Sequence, residues 1–184
     1  MSKSPIQKVL EEFAKDATLA SMRVLGRRTI GKNKSYGEAS GKLRESLTSS
    51  VTIKDGVYDV AFGSPLPQGE FIYWGVNGVE KQRGSPFSYG TKQPPTSAIR
   101  EWMRVKPIRM RSDSGQFVKQ TESAMNGIAY VIARSIKKKG IASLKYWDIG
   151  IDQVLPKWED KIMDAILDEF GEDLMDSDPN FKVK

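Results

Sequence analysis

The chain of 184 residues contains no histidine and no cysteine. That removes the commonest general base and metal ligand, along with thiol nucleophiles, disulfides and thiolate metal sites. Carboxylates, hydroxyls and cations remain. Glu11, Glu12 and Asp16, and the acidic residues near the C-terminus, fall on the expected solvent faces of helices, so they read as surface charge rather than acid/base pairs. The run GRRTIGKN, residues 26–33, nearly spells the phosphate-cradling loop G-x-x-x-x-G-K-[ST]. Asn33 replaces the hydroxyl that would hold Mg²⁺, and a helix precedes the run where a buried strand is required. The expectation is a protein that is not an enzyme, with no cofactor and no metal.

The cations are the more informative set. Residues 151–184 hold ten Asp/Glu against four Lys, a balance of −6, while residues 1–150 balance to +12. A basic body with an acidic end suits a nearby polyanion, or complementary subunits packing head to tail. Arg134, Lys137, Lys138 and Lys139 close a helix, where the macrodipole alone favours cations. Two loop clusters have no such reason, so Arg27, Arg28, Lys32, Arg109 and Arg111 are the candidates for contact with DNA phosphates. Such contacts carry no sequence information, and no helix-turn-helix or RNA-binding aromatic signature is present. Glu172 and Asp173, in the acidic end, are candidates for a subunit interface.

The elements that must position these groups are legible by their periods. In LTSSVTIKDGVYDVAFG, residues 47–63, Asp55-Gly56 marks a two-residue hairpin turn. Pairing Lys54 with Val57 sets Ile53 against Tyr58, Val51 against Val60 and Ser49 against Phe62, with the more polar residues on the other face. Ser4, Pro5 and Gln7 open a helix over 4–25, with Ile6, Val9, Leu10, Phe13, Ala17, Ala20 and Val24 on one side. A short helix is expected over 42–46. Another over 96–105 turns Ile99, Trp102 and Met103 inward. A helix over 121–139 is capped by Thr121 and stopped by Gly140, with Ala124, Ile128, Val131, Ile132 and Ile136 as its apolar set. The last spans about 153–170, through Leu155, Trp158, Ile162, Ile166 and Phe170, and leaves a mobile or partner-docked tail.

The fold class expected is α+β: a small antiparallel sheet with a central hairpin, packed against N-terminal and C-terminal helices, with long assembly loops. The division expected is a core at 1–150 and a C-terminal helix with acidic tail at 151–184. No apolar run is long enough to span a membrane, and no secretory leader is evident. Residues 64–95 are rich in Pro and Gly and read as irregular, yet they carry Phe71, Tyr73, Trp74, Phe87 and Tyr89. Exposed aromatics at that density suggest a surface for another subunit.

Taken together, the run SGKLRESL (residues 40–47), Asp55-Gly56, YWGVNG (73–78), SPF (85–87) and the helix AYVIARSIKKKGI (129–141) resemble the neck and tail-completion proteins of tailed bacteriophages. The resemblance covers roughly residues 40–147. In place of the aromatic, Glu and Gly-Thr that commonly come after the hairpin there, this chain has WGVNG. The resemblance implies a structural virion protein at the head–tail junction, assembled in the host cytoplasm. It implies a homo-oligomeric ring around the DNA channel, with portal or adaptor and tail proteins as neighbours and double-stranded DNA passing through. A non-specific nucleic-acid-binding protein is the rival reading.

Overall fold

The computed structural model describes residues 3–26, 40–105, 108, 114–117 and 121–177, with residue 170 and residues 172–177 described by backbone alone. Its elements are α1 (Pro5–Gly26), α2 (Lys42–Glu45), β1 (Thr48–Lys54), β2 (Val57–Gly63), α3 (Gln68–Trp74), α4 (Thr96–Val105), α5 (Glu122–Lys139), α6 (Tyr146–Val154), a 3₁₀ turn (Leu155–Lys157) and α7 (Glu159–Ser177). Helices packed with a two-stranded antiparallel sheet make the class α+β. The chain forms two compact units. One holds α1, α2, the hairpin, α6 and α7; the other holds α3, α4, α5 and the 75–95 segment. The boundary expected at 150/151 falls inside α6.

In the first unit, Ser4 caps α1 by accepting from the Gln7 amide at 3.2 Å. Gln7 does not return the bond, because its Nε2 reaches forward to Glu11 at 3.0 Å. Phe13, Ala17 and Ala20 of α1 meet Val154 and Trp158 in the core, with Val9, Phe62, Ile151, Leu155 and Ile162 around them. The small residues on α1 let α6 come very close: a methyl group on Gly150 would sit 2.6 Å from the Ser21 amide nitrogen. No side chain fits there.

The hairpin has the register expected, from Thr48 opposite Gly63 to Lys54 opposite Val57. Its turn places Asp55 at φ 51° and Gly56 at φ 77°, the paired positive values of a type I′ turn. Ser49, Val51, Tyr58, Val60 and Phe62 are half-buried on one face, whereas Ile53, near the turn, is 45% exposed. Polar contacts fasten the hairpin to helices. Ser49 Oγ donates to the Ala14 carbonyl at 3.2 Å and accepts from Thr18 at 3.0 Å. Tyr58 donates to Glu169 of α7 at 2.5 Å, and its hydroxyl lies 2.9 Å from Ser4 Oγ.

The last helix begins earlier than its sequence pattern indicates and is broken. Tyr146, Gly150 and Val154 form the buried stripe of α6. Pro156 then sits in the 3₁₀ turn, where its ring and missing N–H prevent the helix from continuing in register. Trp158 is buried and donates to Asp16 at 3.2 Å. α7 runs to Ser177, so residues 172 and 173 are helical rather than part of a tail.

In the second unit, the 64–95 stretch is not wholly irregular, since α3 lies within it. α4 has the bounds expected, and Met103 is buried, but Trp102 remains 38% exposed instead of facing inward. α5 is capped by Thr121, which accepts from the Ala124 amide, and ends at Gly140. Its buried residues are Ala129 and Ala133, and Val131 is 65% exposed. Small side chains take the centre because α4 packs on this helix: Arg100 of α4 donates to Asn126 at 2.8 Å and pairs with Glu122.

Candidate functional site

The last four carbonyls of a helix lack intrahelical partners; on α5 the capping Gly140 satisfies one and a loop satisfies the other three. Ile136 O accepts from the Gly140 amide at 2.8 Å, Lys137 O from Val79 at 2.9 Å and Lys138 O from Glu80 at 2.9 Å. Lys139 O accepts from Arg83 Nε at 2.7 Å. Val76 and Ile141 exchange backbone bonds at 2.9 and 2.8 Å. The contact leaves no room for side chains: a Cβ on Gly140 would lie 2.6 Å from the Gly78 nitrogen, and one on Gly78 2.6 Å from the Lys138 carbonyl carbon. Residues 79–83 are thus a cap for α5, and the WGVNG segment before them packs against its end and pairs with Ile141.

Asn77 organises the loop of residues 83–89. It is buried at 8% exposure. Its Nδ2 donates to Ser85 O at 2.6 Å and to Ser88 Oγ at 3.0 Å, and its Oδ1 accepts from the amides of Arg83 at 2.7 Å and Ser85 at 3.2 Å. Its backbone exchanges bonds with the 87–89 segment, donating to Phe87 O at 2.8 Å and accepting from the Tyr89 amide at 2.9 Å. Ser85 Oγ donates to Gly75 O at 2.7 Å. The side-chain amide therefore has its two donors and its acceptor used, and the SPF run is tied to the WGVNG run.

The five aromatic residues singled out from sequence form two groups. Phe71 and Phe87 meet at 4.7 Å between ring centroids, tilted by 66°. With Val76, Pro86, Ser88 and Tyr89 they line an open cleft of about 370 Å³. Burial pushes the Tyr89 phenol above its ordinary value of 10.0. Tyr73 and Trp74 pack edge to face at 4.9 Å, and Lys145 Nζ lies 3.4 Å from the Trp74 ring centroid and 4.4 Å from that of Tyr73. Such cation–π contacts were not legible, because Lys145 lies some seventy residues beyond Trp74 in sequence.

Among the cations, two of the four in the helix-end cluster are engaged within the chain. Lys137 donates to Thr91 O at 2.8 Å, and Lys138 pairs with Glu80 at 2.6 Å. Arg27, Arg28, Lys32, Arg109 and Arg111 lie outside the described residues, as do the side chains of Glu172 and Asp173. Glu11 pairs with Lys3 at 2.6 Å, and that hydrogen bond holds its carboxyl below the ordinary carboxylate range. Among the described residues no group of three or more Asp or Glu could hold a metal ion, and no helix is long and apolar enough to cross a membrane. No protein-family model matches the chain, and no curated protein or solved structure matches it.

Proposed function

We propose that this chain is a structural virion protein, a ring-forming component of the neck of a tailed phage that surrounds the DNA channel at the head–tail junction. The observation that carries the reading is the sequence resemblance over residues 40–147. The structure gives it a physical sense, because its separate runs YWGVNG, SPF and 129–141 are bonded together through Asn77, Ser85 and the Val76–Ile141 backbone pair. The charge balance of +12 over residues 1–150 and −6 over 151–184 suits copies that meet through unlike surfaces. The loop cations are the groups offered to passing DNA, and portal or adaptor and tail proteins are the neighbours on either side. The role is mechanical, with no chemistry of its own.

The test is electron imaging of the purified chain, alone and added to heads that lack it. Rings with an open centre, and heads that gain the ability to join tails, are the expected result. A chain that forms no ring and instead binds duplex DNA tightly, with an affinity that falls steeply with salt, would establish the rival reading of a non-specific nucleic-acid-binding protein. The rival has less to draw on at the end of α5, where Lys137, Lys138 and Arg83 are occupied by partners within the chain.

A further inference from the structure

Two helices present a second apolar stripe in addition to the one each buries. On α5, with Ala129 and Ala133 buried, Tyr130 is 50% and Val131 65% exposed. On α7, with Ala165 buried, Met163 is 56% and Leu167 59% exposed. A single exposed apolar side chain needs no explanation. Here the borders of the two stripes carry opposite charge. Tyr130, Arg134 and Lys138 recur at intervals of four on α5, and Asp160, Asp164 and Asp168 at the same interval on α7. All six are exposed, and residues four apart lie along one ridge of a helix. Arg134, Asp160, Asp164 and Asp168 make no ion pair among the described residues, whereas Lys138 is held by Glu80.

We propose that the acidic Met163/Leu167 face of α7 in one copy docks on the basic Tyr130/Val131 face of α5 in a second copy. Ridges spaced by four residues interdigitate readily. The apolar pairs supply burial, while the charges select the partner and its register. Because the two faces are different surfaces of the chain, each copy that uses one still offers the other. Such a contact is heterologous, and copies added through it either close into a ring or run on as a filament. The inference takes from the proposed function only the premise that copies of this chain meet.

The experiment is sedimentation velocity of the full chain over a rising concentration series, at low and high salt. The wild type is expected to self-associate, and less so as salt screens the facing charges. Arg134→Glu, and separately the pair Asp160→Lys with Asp164→Lys, should each weaken association by about tenfold, the scale of several reversed surface pairs. Each variant retains one native face, so an equimolar mixture should associate more tightly than either variant alone. Circular dichroism verifies that both fold, as substitutions at exposed positions should. Leu167→Ser tests the apolar half of the contact without altering charge. A wild type that stays monomeric throughout, variants that associate as the wild type does, or a mixture that associates no more tightly than either variant alone would each overturn the proposal. If the reversed variants still enter phage particles, this contact is refuted and the ring reading stands. If the wild type associates through these faces yet never enters a particle, the contact stands and the virion reading fails.

Discussion

Asn77→Asp is the most discriminating change available, because it keeps the shape of a buried side chain and alters only its donors. The acceptor bonds from the amides of Arg83 and Ser85 survive. The Ser88 hydroxyl, 3.0 Å away, can rotate and donate to the new oxygen. The Ser85 carbonyl, at 2.6 Å, cannot, and a carboxylate oxygen there faces another acceptor. Losing that bond and stranding the carbonyl costs about 2–3 kcal/mol at neutral pH. The sign is set by protonation. The neutral carboxylic acid can donate to Ser85 O, so the folded state binds the proton more tightly than the unfolded chain and the carboxyl pKa is raised on folding. The contribution is therefore fully present below the unfolded value of about 4, and is lost as pH rises through the folded value, about two units higher. Amide hydrogen exchange at Arg83, Ser85 and Tyr89 reads the local opening directly, with the wild type at each pH as control. Protection should fall by roughly thirtyfold or more near neutral pH and recover much of the way near pH 4. Equal protection of variant and wild type at neutral pH, or a loss of the same size at both pH values, would refute the account of Asn77 as the donor that holds this loop.

Three other changes test the remaining packing. Gly150→Ala drives a methyl group into Ser21; thermal melts should show a loss of about 2–4 kcal/mol, and an unchanged melting temperature would mean that α1 and α6 are not in close contact. Val60→Asp places a charge on the half-buried hairpin face opposite Val51, and the same melts should show a loss of about 1–2 kcal/mol, less than full burial would exact. The Tyr89 phenol should ionise above its ordinary value of 10.0 because burial favours the neutral form. Stability that depends on it is present below that value and lost as pH rises past the shifted one; the phenolate absorbance missing from Tyr89→Phe in an alkaline titration measures it.

The hairpin and the bounds of α4 and α5 were legible because their determinants are local. A two-residue turn with Asp55 and Gly56 at positive φ fixes the register by itself. Thr121 and Gly140 mark the ends of α5 through bonds within one turn of the helix. The α+β class comes from the same periods. α6 was missed because its buried stripe is Tyr146, Gly150 and Val154. A glycine at the centre of a stripe carries no hydrophobic signal, yet it is what allows α6 to lie against Ser21. The inward positions assigned to Trp102 and Val131 failed for a related reason: period alone gives a stripe, and only the neighbouring helix decides its centre. The candidate site depended still more on distance in the chain. The sequence shows Asn77 and Arg83 as polar residues in a Gly-rich run and the lysines at 137–139 as a favourable helix end. Only folding brings the run onto the open carbonyls of α5, because hydrogen bonds between residues some sixty positions apart leave no period to read.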